Sequence, residues 1–129
     1  ITPNLKELVL ATKSFSNDKE NNIESLSKKI MNEFSFQAVV TTKSSDGITV
    51  VEKNKKSFHF PSKAKEVFDV SGAGDTVVSV AAICMACNIK FEELALLSNI
   101  AGGIVCEKVG VVPITNNELL ERAKEILDV

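Results

Sequence analysis

The sequence predicts an α/β layered domain, and three observations carry that expectation. Short β-branched runs, led by Ala38-Val39-Val40-Thr41-Thr42, are apolar enough for a sheet covered on both faces. Segments with helical apolar spacing lie before, between and after them, so helices are available to cover those faces. With 129 residues, 44% hydrophobic and 25% charged, the chain suits one compact domain and is too short for two of ordinary size. Such a domain buries about two-thirds of its unfolded surface and needs neither disulfides nor a structural metal.

Taken in order, Asn4 can cap a short helix in which Leu5, Leu8 and Val9 recur at helical spacing. Residues 12–22 are polar and predict an exposed connection. Ile23, Leu26, Ile30 and Phe34 then mark one face of a second helix. After the strand at residues 38–42, Ser45-Asp46-Gly47 has turn chemistry, and Ile48-Thr49-Val50-Val51 returns as another strand. Lys53-Asn54-Lys55-Lys56 reads as a solvated hairpin tip, with a third strand over residues 57–61. Val67-Phe68-Asp69-Val70 is expected to be extended, residues 71–75 form a tight loop, and a long apolar helix runs on to about Cys87. A helix from about Phe91 to Cys106 is apolar on several sides and therefore largely buried. Gly110 and Pro113 punctuate, and an amphipathic helix from about Thr115 closes the chain, with Leu119, Leu120, Ala123 and Leu127 on one side.

Fifteen basic against seventeen acidic residues give a net charge of −2, without the basic excess of a nucleic-acid binder. No apolar run reaches the roughly 18–20 residues of a membrane span, since Lys90, Glu92 and Glu93 break the longest. The first residues show no signal-peptide pattern, which predicts a cytoplasmic protein. With no initiator Met, the chain also opens as if cut from something longer. Cys84 and Cys87 form a C-x-x-C late in a small-residue apolar helix rather than at an exposed helix start. The three cysteines are therefore expected in the core, as small hydrophobes. His59, flanked by Phe58 and Phe60 and without a partner at ligand spacing, reads as a strand residue.

Chemistry concentrates in Gly72-Ala73-Gly74-Asp75-Thr76. The glycines allow a sharp turn and close approach of a ligand, and the following helix starts with unpaired N–H groups that suit phosphate oxygens. A carboxylate beside such an anion site, here Asp75, can accept a proton from an attacking hydroxyl. The stretch lacks the Lys-[Ser/Thr] of a P-loop, and Val77 stands where a dinucleotide fingerprint needs its third small residue. On Gly-x-Gly-Asp alone, a glycine turn followed by an ordinary first-turn acid serves equally well.

The wider context separates these. Asp69-Val70-Ser71-Gly72-Ala73-Gly74-Asp75 resembles the D-T-x-G-A-G-D signature of the ribokinase-like (PfkB-type) carbohydrate kinases. Asn4-Leu5-Lys6-Glu7 resembles that family's N-x-x-E motif, and residues 40–47, from Val40 through Thr42 and Ser44 to Gly47, resemble its strand-turn segment beside the nucleotide. Thr42-Lys43-Ser44, Phe60-Pro61, residues 66–70, Leu97-Ser98-Asn99 and residues 103–110 look most like the D-glycero-β-D-manno-heptose 7-phosphate kinases. Ser71 replaces the commoner Thr, and Cys106-Glu107 replaces a Val-Gly-like pair.

The resemblance implies a ribokinase-like layered αβα sheet domain of which residues 1–129 are the C-terminal portion, with the sugar-binding and lid portion upstream of Ile1. It implies ATP and Mg²⁺ as cofactors, Asp75 as catalytic base and Gly72, Ala73 and Gly74 as anion hole. Asn4, Leu5, Lys6, Glu7, Thr42, Ser44, Gly47 and Asn99 would lie near ATP, Glu7 acting on Mg²⁺ through water. The implied reaction phosphorylates the anomeric hydroxyl of the heptose phosphate, giving a 1,7-bisphosphate on the way to ADP-heptose for lipopolysaccharide. Such kinases are often fused to an adenylyltransferase. The whole enzyme would be a homo-oligomer, and the isolated portion, inactive without its sugar site, could self-associate through an exposed sheet edge. Local structure offers a second account of several residues. Asn4 and Glu7 suit a helix cap and its capping-box partner, Thr42, Ser44 and Gly47 a turn, Asn99 helix packing, and Lys108, in a segment that approaches adenine in that family, a solvated surface. Another sugar kinase of the family, a non-catalytic nucleotide-binding module and a merely structural, self-associating piece are the competing functions.

Overall fold

The structure is a computed structural model that describes residues 1–14 and 22–128. Helices α1 (Leu5–Lys13) and α2 (Ile23–Phe34) precede strands β1 (Ala38–Thr42), β2 (Ile48–Glu52) and β3 (Phe58–Phe60). Helices α3 (Ala73–Ala86), α4 (Phe91–Cys106) and α5 (Asn116–Leu127) follow, and a 3₁₀ turn, Ser44–Asp46, joins β1 to β2. The strands form an antiparallel sheet in chain order, with Ala38 opposite Glu52, Thr42 opposite Ile48, and Thr49 opposite His59. Residues 1–4 run parallel beside the free edge of β1: Val40 N donates to Ile1 O at 2.9 Å and Thr42 N to Pro3 O at 3.0 Å. This extended segment was not expected. Its Pro3 has no N–H to offer, which an edge position tolerates.

Successive residues of a strand face opposite sides, and here both sides are covered. Val39 and Val51 pack with Leu8, Leu26, Ile30 and Met31 under α1 and α2. Val40, Ile48 and Val50 pack with Val77, Val80, Ala81, Leu94 and Ala101 of α3 and α4. The result is the expected αβα layering. Each fully buried Val, Leu or Ile contributes roughly 1.5–3 kcal/mol to it. Helix α5 packs on α4 through Ala123 on Ile100 and Ile104, with Leu119 and Ile126 beside them. That packing covers only a narrow stripe, so Leu120 and Leu127, expected on the packed side, are exposed.

Other expectations are corrected. Thr12 does not begin an exposed connection; it is buried in the last turn of α1, its Oγ1 donating to Leu8 O, and residues 15–21 of that connection lie outside the described residues. Leu5 and Phe34 are exposed rather than part of a covered face. Of the three free cysteines only Cys84 is buried, and burial pushes its thiol pKa up. Cys87, the C-cap of α3, lies past the helix's covered face and is exposed, and Cys106 is half-buried. Helix α3 is apolar nearly all round, yet only Val77, Val80, Ala81 and Cys84 are covered; Val78, Ile83 and Met85 are open to solvent. His59 stands in β3 as expected, its Nδ1 3.1 Å from Thr49 Oγ1. No helix among the described residues is long and apolar enough to cross a membrane.

Gly47 closes the β1–β2 turn with φ +89°, and a Cβ built there would lie 2.1 Å from Phe60 O and 2.6 Å from Ser62 N. Both obstacles are backbone, so no side chain can yield. Gly47→Ala is expected to destabilise the fold by about 3 kcal/mol or more. Gly74→Ala, where a Cβ meets nothing within 4 Å, is expected to change stability by less than about 1 kcal/mol. Urea midpoints of the two variants check this, and equal losses would contradict it.

Helix α5 begins with a capping box, Thr115 Oγ1 accepting from Glu118 N and Glu118 Oε2 from Thr115 N. Lys108 Nζ lies 2.6 Å from Glu118 Oε1. Lys108 first, then the Thr115 donors, hold the Glu118 carboxyl at about 2, below its ordinary 4.5. A value depressed by folding stabilises above the unfolded pKa and is lost as pH falls through the folded one. Glu118 therefore contributes fully above about pH 4.5 and progressively less toward pH 2. Its side chain is 38% exposed, so screening keeps the contribution modest. Glu118→Gln should flatten the fall in denaturation midpoint between those pH values, and an unchanged slope would contradict the assignment.

Candidate functional site

A cleft of about 540 Å³ opens where the end of β1, the 3₁₀ turn, the start of α3, the middle of α4 and a strap over residues 61–67 meet. Its lining includes Asn4, Thr42, Ser44 and Gly47 from the sheet side and Ala73 and Gly74 from the α3 loop. Asn99, Gly102 and Gly103 of α4 also line it. Seven residues singled out in the sequence, drawn from four separate segments, are thus brought together.

The α3 loop is built from its own hydrogen bonds. Gly72 has φ 78° and ψ −2°, as the third residue of a type II turn requires, and Ala73 N donates to Val70 O at 3.2 Å. Asp69 Oδ1 accepts from Ser71 N at 2.9 Å and from Ser71 Oγ at 2.7 Å, while Oδ2 accepts from Gly110 N at 2.9 Å. The Ser71 hydroxyl foremost, then the Ser71 and Gly110 amides, hold the Asp69 carboxyl below its usual range. Asp69 is therefore the staple between this loop and the one that follows α4. The sequence offered it only as the first letter of a motif.

Among the backbone donors at the head of α3, the Ala73 N–H is turned into the loop, and the α3 ladder begins with Thr76 N donating to Gly72 O at 3.0 Å. The first-turn N–H groups of Gly74 and Asp75 precede that ladder, and the space where Gly74 lacks a side chain is open. Asp75 is exposed in the same turn, next to the lining but not part of it, and Gly72, half-buried, lies next to the lining on the other side.

Asn4 and Glu7 form a reciprocal cap: Glu7 N donates to Asn4 Oδ1 at 2.9 Å and Asn4 N to Glu7 Oε2 at 2.8 Å. Asn4 lines the cleft; Leu5, Lys6 and Glu7 do not, and all three are exposed on α1. Asn99 is buried and its Nδ2 donates to Pro61 O at 2.7 Å, so it fastens the strap to α4. Lys108 lies outside the cleft, paired with Glu118. The strap's own contribution, Ser62, Ala64 and Val67, was not foreseen. Gly102-Gly103 inside a helix was the available signal, since adjacent helical glycines mark close approach.

Residues 1–117 match the family described as pfkB family carbohydrate kinase. The bifunctional protein HldE of Vibrio parahaemolyticus is 40% identical over 121 residues, covering 94% of this chain and 25% of that protein. The bifunctional protein HldE of Paramagnetospirillum magneticum is 41% identical over 120 residues, covering 93% and 24% respectively. The chain thus spans about a quarter of the length of the curated relatives it matches. Among solved structures, a ribokinase from Thermotoga maritima superposes with a TM-score of 0.84 at 25% identity, over 95% of this chain and 41% of that one. Phosphofructokinase-2 from Escherichia coli, at 19% identity, shares the fold with a TM-score of 0.83 over 98% and 40%. With its αβα layers and its glycine loop at the head of α3, the chain belongs to the pfkB family of carbohydrate kinases and has the ribokinase-like fold.

Proposed function

We propose that these residues form the nucleotide and phosphoryl-transfer side of an ATP-dependent sugar kinase. Its acceptor is the anomeric hydroxyl of D-glycero-β-D-manno-heptose 7-phosphate, and its product the 1,7-bisphosphate. The observation that carries this reading is the start of α3, where first-turn N–H donors, an open glycine face and the Asp75 carboxylate adjoin one cleft. Identity of about 40% to the HldE proteins supports the choice of sugar. The residues that read the sugar belong, on this proposal, to the part of the relatives that this chain does not cover.

The cleft fits a nucleotide triphosphate in its donors: backbone N–H groups at a helix N-terminus, where the dipole favours negative charge, and hydroxyls of Thr42 and Ser44 among the lining. No group of three His, Cys, Asp or Glu side chains gathers among the described residues. Glu7, whose Oε2 accepts from Asn4 N at 2.8 Å, would hold a Mg²⁺ through water. Bound Mg·ATP supplies the phosphoryl group and neutralises part of its charge. Asp75 would take the proton of the sugar hydroxyl as that oxygen bonds to the γ-phosphorus and the bond from that phosphorus to ADP breaks, ADP leaving. The Gly74 and Asp75 N–H groups would face the charge on the transferring oxygens. Gly72 and Ala73 set the turn that aims them.

Two outcomes test the proposal. In the active kinase that contains these residues, Asp75→Asn is expected to lower kcat by several orders of magnitude while ATP affinity stays near wild type. A variant that keeps more than about a tenth of wild-type kcat would refute the base assignment. The 129-residue chain by itself should bind Mg·ATP weakly, with Kd on the order of hundreds of micromolar or more, and show no heptose phosphorylation. Holding the attacking hydroxyl in line is worth roughly 7–11 kcal/mol, and the proposal places the residues that do so elsewhere. Calorimetry and a coupled kinase assay decide it, and turnover by these residues alone would place the sugar site within them.

A further inference from the structure

The strap over residues 61–67 is neither helix nor strand, yet it supplies Ser62, Ala64 and Val67 to the cleft. Its backbone is held by one stripe of α4. Asn99, Gly103 and Glu107 recur at i, i+4 and i+8, and so follow one helix face past the last turn. Asn99 Nδ2 donates to Pro61 O at 2.7 Å. Gly103 lets the strap approach until a Cβ there would be 3.0 Å from Ala64 N. Glu107 Oε1 accepts from Lys65 N at 2.6 Å.

The third of these contacts is the charged one, and it reaches beyond α4. Arg122 of α5 grips the same carboxylate in a two-bond fork, Nη1 to Oε1 at 2.8 Å and Nη2 to Oε2 at 2.7 Å. The side chains of Glu107 and Arg122 are only 18% and 15% exposed, so water screens the pair less than a surface ion pair. Glu125 joins at the rim, 3.5 Å from Arg122 Nε and 3.1 Å from Lys65 Nζ. A fork of this kind fixes direction as well as distance. Glu107 also stands where the sequence departs from the Val-Gly-like pair of the kinases it resembles.

We propose that Glu107 is a positioning residue for the cleft: oriented by Arg122, it pins the strap at the Lys65 amide and thereby sets the wall that a bound nucleotide meets. Helix α5, which contributes nothing to the cleft lining, would act on nucleotide affinity through this chain of contacts. The inference rests on the nucleotide reading of the cleft given above.

Amide hydrogen exchange at Lys65 and calorimetry with Mg·ATP test the two parts on the same preparations. Glu107→Ala is expected to speed Lys65 exchange at least tenfold and to weaken Mg·ATP binding several-fold, while the Val40 amide in the sheet keeps its protection. Arg122→Ala should give a smaller change of the same kind, and the double variant should be no worse than Glu107→Ala, as expected for residues acting through one contact. Glu107→Gln, which keeps an oxygen for the Lys65 N–H, should restore most of the protection; it and Arg122→Ala carry the test if Glu107→Ala does not fold. Unchanged Lys65 exchange in Glu107→Ala, or in Arg122→Ala where Glu107→Ala does not fold, overturns the clamp. Faster exchange with unchanged Mg·ATP affinity overturns its role in the cleft. A wild-type protein that binds no Mg·ATP overturns the nucleotide reading instead, and Lys65 exchange still decides the clamp.

Discussion

Two adjacent helical glycines let the α4 backbone come close to a side chain of α3 and to the backbone of the strap, and the arrangement of the cleft follows from that contact. A Cβ at Gly102 would come within 3.0 Å of Val77 Cγ2 on α3, and one at Gly103 within 3.0 Å of Ala64 N on the strap. Glycine in a helix interior costs roughly 0.5–1 kcal/mol relative to alanine. Here that cost is offset by packing, because the closer α3 and α4 lie, the more of Val77, Ala81, Leu94 and Ala101 is removed from water together with Val40 and Val50. The same approach sets the start of α3 opposite the end of β1, so that the glycine loop and the Asn4 cap line one space.

The loop at the head of α3 is itself anchored by polar contacts rather than by burial. Asp69 collects three donors from two loops, and a charged acceptor makes each of those bonds stronger than a neutral one. The turn at Gly72 then needs a left-handed residue, which Gly supplies without strain. On the proposed function, donors at the head of α3 that are already oriented would lose little freedom when charge arrives. Of the loop's two glycines, Gly74 leaves open the space a side chain would take, whereas a Cβ at Gly72 would lie 3.2 Å from Val111 Cγ1.

Much of the fold was legible because its elements obey local rules. The alternation in Val39-Val40 and Val50-Val51 matches a sheet buried on both faces, and α4 ends at Cys106 as its apolar run does. The N-x-x-E motif could be read as a helix cap or as part of a phosphate site, and the structure shows the cap while placing Asn4, but not Glu7, in the cleft. What could not be read depends on tertiary context. The edge segment at residues 1–4 exists only because β1 lies beside it, and the strap has no periodicity since its bonds run to α4. Cys87 and Leu120 look like core residues by type, but nothing in the described chain covers them.

On the proposed function, the cleft between the strap, the end of β1 and the head of α3 receives the nucleotide phosphates. Titration of the ¹⁵N-labelled protein with Mg·ATP, followed residue by residue in amide resonances, tests it most directly. Shifts concentrated at Gly74, Asp75, Ser44, Gly47, Ala64 and Gly103 are the result this account predicts. Shifts centred instead on the ion-paired residues Lys108, Glu118 and Arg122, or no shifts at millimolar nucleotide, would contradict it.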